Sequence, residues 1–277
     1  MYFFRIIIPT NDQSQNSQEL LNDSVNSITS QTIDKFNYII VVPHDGGYQG
    51  EGVRILDDRT FHVYHKSVEM KGGNINRAID GTYGMDFTGE YTLFLDEGDA
   101  LASNTVLEEL RDFIVKNEKP DLIRLPYKKV YNPGDNGIIK RYGREKTLAD
   151  IASSSKVAPW TKCVKSSLLA RFPYHMVHED VVQHIAQIDK IKTFAKFPTP
   201  VVESRLYKDD PDIYPPITEK TSILRLVAEL MDLNLTHDYC EEVRENRIDF
   251  YANMIGDDYD KDNEIFSKMA RELNYKP

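Results

Sequence analysis

Asp96, Glu97 and Asp99 crowd around Gly98 within residues 89–101. They follow an apolar run, Tyr91-Thr92-Leu93-Phe94-Leu95, which has strand length and strand composition. Acids at the carboxyl end of a buried strand stand where an α/β sheet receives its ligand. Close carboxylates in that position suit a hard divalent cation shared with phosphate oxygens. The same residues also suit a plain strand-to-helix turn with solvated acids. A second acidic pair, Glu179-Asp180, follows His178 at the start of a helical pattern. By themselves these are acids of a helix N-terminus, where the macrodipole favours negative charge.

The elements that must position these groups read as α/β. A strand over 3–8 ends in Pro9-Thr10-Asn11. A helix over 17–30 turns Leu20, Leu21, Val25 and Ile28 inward. A second strand over 38–42 ends in Pro43-His44-Asp45-Gly46-Gly47. This β-α-β opening predicts parallel strands joined by a right-handed crossover. It holds no Gly-x-Gly-x-x-Gly and no Walker loop, which disfavours a dinucleotide site or a P-loop.

Short strands are expected at 53–56 and 60–64, and a helix from 74 to about 83. After the acidic stretch, Val106, Leu107, Leu110, Phe113 and Ile114 share one helix face, with Thr105 and Glu108 at capping-box spacing. Strands follow at 122–125, 193–196 and 201–206, with a hairpin around 132–137, a short helix after 157–164 and a helix over 181–188. Beyond the proline-rich linker 211–216 the chain turns helical, over 223–233, 237–255 and 264–274.

The chain has 277 residues and ordinary apolar content, enough for a real core. Cys163 and Cys240 form no metal or redox motif, so they read as reduced and the protein as cytoplasmic. No apolar run reaches transmembrane length, and Arg5 and Pro9 break the N-terminal run too early for a signal peptide. The formal net charge is −10, unevenly spread. Residues 122–178 hold eleven Lys/Arg and three acids, an excess of eight positive charges that leaves −18 for the remainder. That asymmetry fits a polyanionic partner on one face, and equally fits solvated edge strands. His175, His178 and His184 lie close in sequence and admit a metal role or a plain surface one.

Several pieces, taken in order, carry a resemblance. They are Ile6-Ile7-Ile8-Pro9-Thr10-Asn11, Asn26-Ser27-Ile28-x-x-Gln31, Ile39-Ile40-Val41-Val42 before Asp45-Gly46, and Asn76-Arg77-Ala78-Ile79. Then come Gly89 to Asp96, Ala158-Pro159-Trp160-x-Lys162 and His178-Glu179-Asp180. Together they resemble the family 2 glycosyltransferases over about residues 3–207. The resemblance implies a GT-A fold: a Rossmann-like mixed central sheet flanked by helices, here with a helical C-terminal extension. It implies a catalytic domain over 1–210, with a nucleotide-sugar-binding half (1–117) and an acceptor-binding half (118–210), and an extension over 211–277.

By that resemblance, Pro9, Thr10, Asn11 and Asp45 lie near the base and ribose of a nucleoside diphosphate sugar, with UDP the expected nucleotide. Two adjacent acids are usual before the glycine; Pro43-His44-Asp45 departs from this. Arg77 faces the diphosphate, although the usual Arg-Asn order appears here as Asn76-Arg77. Asp96, Glu97 and Asp99 match the acidic motif that holds Mn2+ or Mg2+, with Asp96 and Asp99 as ligands. The family's usual ligand position falls on Gly98. Asp180 matches the base of the inverting members, with Trp160, Glu179 and His178 beside the acceptor.

The acceptor expected is a glycan, or a polyanion such as DNA carrying a hydroxylated base. The acidic tail argues against membrane docking. Two other readings stay open: a GT-A-like module that binds nucleotide sugars without turnover, motivated by Gly98, and a sugar nucleotidyltransferase.

Overall fold

Strands with no polar alternation must be covered on both faces, and Phe4 to Ile8 and Tyr38 to Val42 are buried throughout. The computed structural model describes residues 2–10, 17–34, 37–43, 52–64, 70–80, 87–130, 137–142, 144–173, 179–205 and 220–255. The first half runs β1 (Tyr2–Ile7), α1 (Ser17–Thr29), β2 (Tyr38–Pro43), β3 (Gly52–Ile55), β4 (Thr60–Tyr64), α2 (Met70–Asp80), β5 (Gly89–Phe94), β6 (Ala100–Leu101) and α3 (Val106–Lys116). The second half runs β7 (Leu122–Arg124), β8 (Tyr127–Val130), β9 (Ile138–Lys140), α4 (Leu148–Ala152), β10 (Lys162–Lys165), α5 (Glu179–Asp189), β11 (Phe194–Lys196) and β12 (Val202–Arg205). Two helices follow, α6 (Lys220–Met231) and α7 (Asp238–Ile255).

Among the described residues, eight strands form one mixed sheet in the order β11-β7-β10-β5-β1-β2-β4-β3. β5, β1, β2 and β4 are parallel, as the β-α-β opening predicts. β10 runs antiparallel between β5 and β7. A smaller sheet, β6-β12-β8-β9, carries the expected hairpin as the antiparallel pair β8–β9. Alternate β1 residues feed two apolar layers. Ile7 joins the layer of α2, α5, α6 and α7; Phe4, Ile6 and Ile8 join that of α1 and α3. Trp160 packs against both layers.

Some expectations need correction. The Thr105/Glu108 capping box does not form: Thr105 caps with no side-chain hydrogen bond and its hydroxyl goes to Glu109 at 2.6 Å. Gln31 supplies the cap instead, its Oε1 accepting from the Leu107 N–H at 3.1 Å. A capping box does open α4, between Thr147 and Asp150, a helix that the periodicity of the sequence did not reveal because it has five residues. β6 was missed for the same reason of length. The linker 211–216 and the helix expected over 264–274 lie outside the described residues.

Two buried arginines tie the layers. Arg5 donates to Thr92 Oγ1 from Nε (3.1 Å) and Nη2 (2.9 Å), and to the Ile79 carbonyl (3.0 Å), linking β1, β5 and the end of α2. Arg124, fully buried, forms a two-pronged pair with Glu145, both contacts 2.9 Å, over the ring of Tyr142. Such a pair is costly to break because either partner alone is an uncompensated buried charge.

The C-terminal helices share the core of the sheet: Leu226, Leu230, Val243 and Ile248 lie in the same cluster as Val182 and Ile185 of α5. Asp189, at the end of α5, anchors the turn before α7. Its oxygens accept from the Thr236 N–H (3.0 Å), the Thr236 hydroxyl (2.9 Å) and the His237 N–H (2.9 Å). Burial opposes ionisation of Asp189, but these hydrogen bonds outweigh it and hold the carboxyl below the usual carboxylate range. The lowered value makes the carboxylate stabilising above the ordinary carboxylate range, and that contribution fades as pH falls through the lowered value. Asp189→Ala should therefore cost roughly 2–3 kcal/mol in urea unfolding at neutral pH. The gap from wild type should narrow as acid protonates the wild-type carboxyl.

Candidate functional site

β1 passes to β2 on one side, and the chain returns through α2 to β5 on the other. Strand order therefore reverses between β1 and β5. In open α/β sheets, ligands bind outside the carboxyl ends of the strands at such a point. The ladder continues past the strand ends here, with Leu95 N–H donating to the Ile7 carbonyl (3.0 Å) and Thr10 N–H to the Pro43 carbonyl (3.1 Å). The Thr10 hydroxyl donates to Glu97 Oε2 at 2.8 Å. Pro9, Thr10, Asp96 and Glu97 are thus brought to one edge. Asn11, Asp45 and His178 lie outside the described residues.

The acidic turn is locally determined. The Asp99 N–H donates to the Asp96 carbonyl at 3.0 Å, and Gly98, third in that turn, has φ +89°. A left-handed third position is the type II geometry, which favours glycine. A side chain at 98 would be strained in this backbone conformation. Ser24 of α1 clamps the turn: its hydroxyl accepts from the Gly98 N–H (2.9 Å) and donates to the Asp99 carbonyl (2.8 Å). Nothing in the sequence pattern marked Ser24 for this.

Asp96 and Glu97 are half-buried, whereas Asp99 is buried. One Asp99 oxygen accepts from the Arg205 N–H at 2.9 Å, tying the turn to the end of β12. Among the described residues, no three His, Cys, Asp or Glu side chains gather as a metal cage. Mg2+ and Mn2+ do not need one beside a nucleotide, since one or two carboxylates plus substrate phosphates and water complete their shell. Asp96 with Glu97 is a donor set of that kind.

Asp180 of the second acidic pair is related to this edge only by way of Trp160, in the segment that leads into β10. Cys163 pairs with Leu93 in antiparallel register, so the chain feeds into β10 beside the carboxyl end of β5, where Asp96 emerges. The feeding segment is a 3-10 turn, Pro159–Thr161, packed on β5. It carries Trp160, set edge-on to Tyr127 at 4.7 Å between ring centroids. Trp160, Tyr127 and Asp180 line a cleft of about 450 Å3 together with Tyr251 of α7. Asp96, Glu97 and Asp99 are not part of that lining. Trp160 belongs to the cleft and adjoins the β5 edge at once.

Asp180 and Glu179 are half-buried in the first turn of α5. Asn76 of α2, wholly buried, holds the preceding segment by two hydrogen bonds to the backbone of Phe172 (2.7 and 2.9 Å). Gly72 allows that approach, since a Cβ there would strike the Pro173 carbonyl and stand 3.5 Å from the Glu179 side chain. Arg77, the next residue on α2 after Asn76, is half-buried.

Beneath Asp180 lies a buried basic pair. His184 Nε2 meets the Ile151 carbonyl at 2.9 Å, and its Nδ1 meets Lys162 Nζ at 3.0 Å. A carbonyl only accepts, so Nε2 carries the proton and Nδ1 accepts from the lysine. Burial and the nearby Lys162 charge push the His184 pKa well down, consistent with a neutral ring. Burial and Arg124 likewise push Lys162 well below the usual lysine value, while Asp180 opposes them. Both His184 nitrogens are engaged, which corrects the metal role admitted for this residue. His175 lies outside the described residues.

No family model and no curated protein matches the chain. Solved structures do. Residues 1–349 of S. aureus TarS in complex with UDP-GlcNAc superpose with a TM-score of 0.65 at 18% identity, over 92% of this chain and 72% of that one. In a structure of S. aureus TarS without those residue limits, the TM-score is 0.60 at 18% identity, and the chain spans 88% of itself and 42% of that protein. The mannosyltransferase PcManGT from Pyrobaculum calidifontis, in complex with GDP-Man and Mn2+, gives 0.56 at 12% identity over 98% and 73%. The fold is of the GT-A type, as the resemblance implied.

Ser24→Ala tests the clamp on the acidic turn. It leaves the buried Gly98 N–H without its acceptor, and the expected loss in chemical denaturation is about 1–3 kcal/mol.

Proposed function

We propose that the chain is an inverting, metal-dependent glycosyltransferase. It moves a sugar from a nucleoside diphosphate sugar, first of all a UDP-sugar, to an acceptor hydroxyl. The observation that carries this reading is the place of Trp160: its 3-10 turn packs on β5, the strand that ends at the acidic turn, and its side chain lines one cleft with Asp180. The TarS complex with UDP-GlcNAc and the PcManGT complex with GDP-Man and Mn2+ support the donor class.

In this reading residues 1–117 bind the donor. Thr10 and Asn11 face the nucleoside with Pro9 and Asp45, and Arg77 faces the diphosphate. Asp96 with Glu97 holds Mn2+ or Mg2+, which when bound offsets charge building on the departing diphosphate. Asp99 joins Asp96 as a ligand, one of its oxygens also accepting from the Arg205 N–H. Residues 118–210 bind the acceptor, with Trp160, Glu179 and His178 around it. The domains 1–210 and 211–277 act together.

An acceptor hydroxyl is a poor nucleophile and must lose its proton as it attacks the anomeric carbon. Asp180 takes that proton while the new C–O bond forms and the bond to diphosphate breaks. A single displacement of this kind inverts the anomeric centre. The acceptor is a glycan or an anionic polymer, a hydroxylated base in DNA included.

Among the described residues no helix is long and apolar enough to cross a membrane. Cys163 and Cys240 are buried free thiols, which supports a cytoplasmic setting. A second reading, a binding module without turnover, draws support from Gly98 and from the engaged Asp99.

A thermal-shift screen with UDP-, GDP-, CMP- and dTDP-sugars, with and without Mn2+, tests donor binding. A ligand at one hundred times its Kd should add about 2.7 kcal/mol of stability. Asp96→Ala should abolish the metal-dependent part. Asp180→Asn should keep the shift and lower turnover by about 10²–10⁴. Wild-type protein that binds a donor yet transfers nothing to any glycan or hydroxylated DNA would favour the binding module.

A further inference from the structure

The cleft beside Trp160 holds two cations that the transfer chemistry leaves unused. Lys156 comes from the loop after α4 and Arg247 from α7, and Asp180 is the one acid among the described lining residues. The Arg247 guanidinium is fixed at the rim, one N–H donating to the Ser154 carbonyl at 3.2 Å. Four of its five N–H groups are left for other acceptors. The Lys156 ammonium stands over the rings of Tyr142 (5.1 Å) and Tyr127 (5.9 Å). Neither cation has a carboxylate partner among the described residues.

The basic excess of residues 122–178 sorts itself around this cleft. Much of it is consumed by the fold: Arg124 pairs with Glu145, Lys128 with Glu203, Lys165 with Asp121 and Arg171 with Asp80, and Lys162 is buried. Lys129 and Lys140 remain near Lys156. Burial lowers the Lys156 pKa, and Lys140, Arg124 and Lys129 lower it further against Glu145, which raises it. Arg247 joins the group from outside the basic segment. In a chain of net charge −10, such a gathering around one cleft is a local inversion of sign.

We propose that Arg247 and Lys156 form an anion-reading subsite that holds a phosphate carried by the acceptor, next to the hydroxyl that Asp180 deprotonates. The acceptor is then a phosphorylated glycan. Arginine grips phosphate through two parallel N–H bonds and lysine adds a point charge. Trp160 and Tyr251 line the same cleft, and aromatic side chains of this kind pair an apolar ring with a polar tip. A cleft of about 450 Å3 has the volume of a small-ligand site and takes sugar units rather than a base-paired duplex. The charges also make sense together. A phosphate beside a carboxylate base is repelled unless cations offset both, and Lys156 and Arg247 supply them. This inference rests on the reading of Asp180 as the base.

Trp160 is the only tryptophan, so intrinsic fluorescence of the full chain reports on this cleft without any turnover. The protein is titrated with glucose 6-phosphate, glucose and inorganic phosphate, while the donor-induced thermal shift is read on the same samples. The expected result is a saturable response to glucose 6-phosphate, about tenfold or more tighter than to glucose, with inorganic phosphate competing. Arg247→Ala and Lys156→Ala, checked for folding by circular dichroism, should each weaken it about tenfold, and Arg247→Lys should weaken it less. Equal response to glucose and its phosphate, no response to either phosphate probe, or wild-type affinity in both alanine variants overturns the subsite. A DNA oligonucleotide that binds more tightly through the same two residues overturns the glycan assignment. A phosphate response with no donor shift sinks the transferase reading instead, and a donor shift with no phosphate response sinks only the subsite.

Discussion

The antiparallel strand β10, wedged between β5 and β7, is the constraint on which the site depends. Its backbone bonds fix Cys163 opposite Leu93 and Ile123. Because β10 runs against β5, the residues before it must lie at the carboxyl end of β5. That places Trp160 beside the point where Asp96 leaves the sheet. A parallel strand in the same slot would carry Trp160 to the far edge.

Around that ladder the fold gives three buried polar groups fixed partners. Arg5 answers Thr92 and the end of α2, Arg124 answers Glu145, and Ser24 answers the Gly98 turn. Unmet groups of this kind would cost about 1–3 kcal/mol each, a large share of a domain's net stability. These bonds also explain why the acidic turn is held in one shape. Its backbone is clamped by α1 and its last carboxylate by β12, so Asp96 and Glu97 are presented from a rigid base. Rigid presentation is what a site for a charged ligand requires, since ordering it on binding would subtract from affinity.

The C-terminal helices are part of this arrangement rather than an appendage. Asp189 fastens the turn before α7, and α7 carries Arg247 and Tyr251 into the cleft that Asp180 lines. The cleft that Asp180 lines thereby takes residues from outside the stretch that carries the family resemblance.

The amino-acid sequence by itself determined the parallel opening, most of the strands and the amphipathic helices, because period and length are local properties. Thr60–Tyr64 and the helix of Asp238–Ile255 fall where the pattern puts them, within a residue. The acidic turn and the Glu179-Asp180 pair were also legible, since both sit at element ends with a recognisable order. Short elements such as α4 and β6 were not, because two to five residues carry too little periodicity. Tertiary structure alone decided that Gln31 rather than Thr105 caps α3, that Asp99 meets the Arg205 N–H, and that four of the eleven Lys/Arg of residues 122–178 pair with carboxylates. It alone set Arg247 and Lys156 in the lining of one cleft. Such groupings join residues about ninety positions apart, and no local pattern records which distant side chain will line a given space.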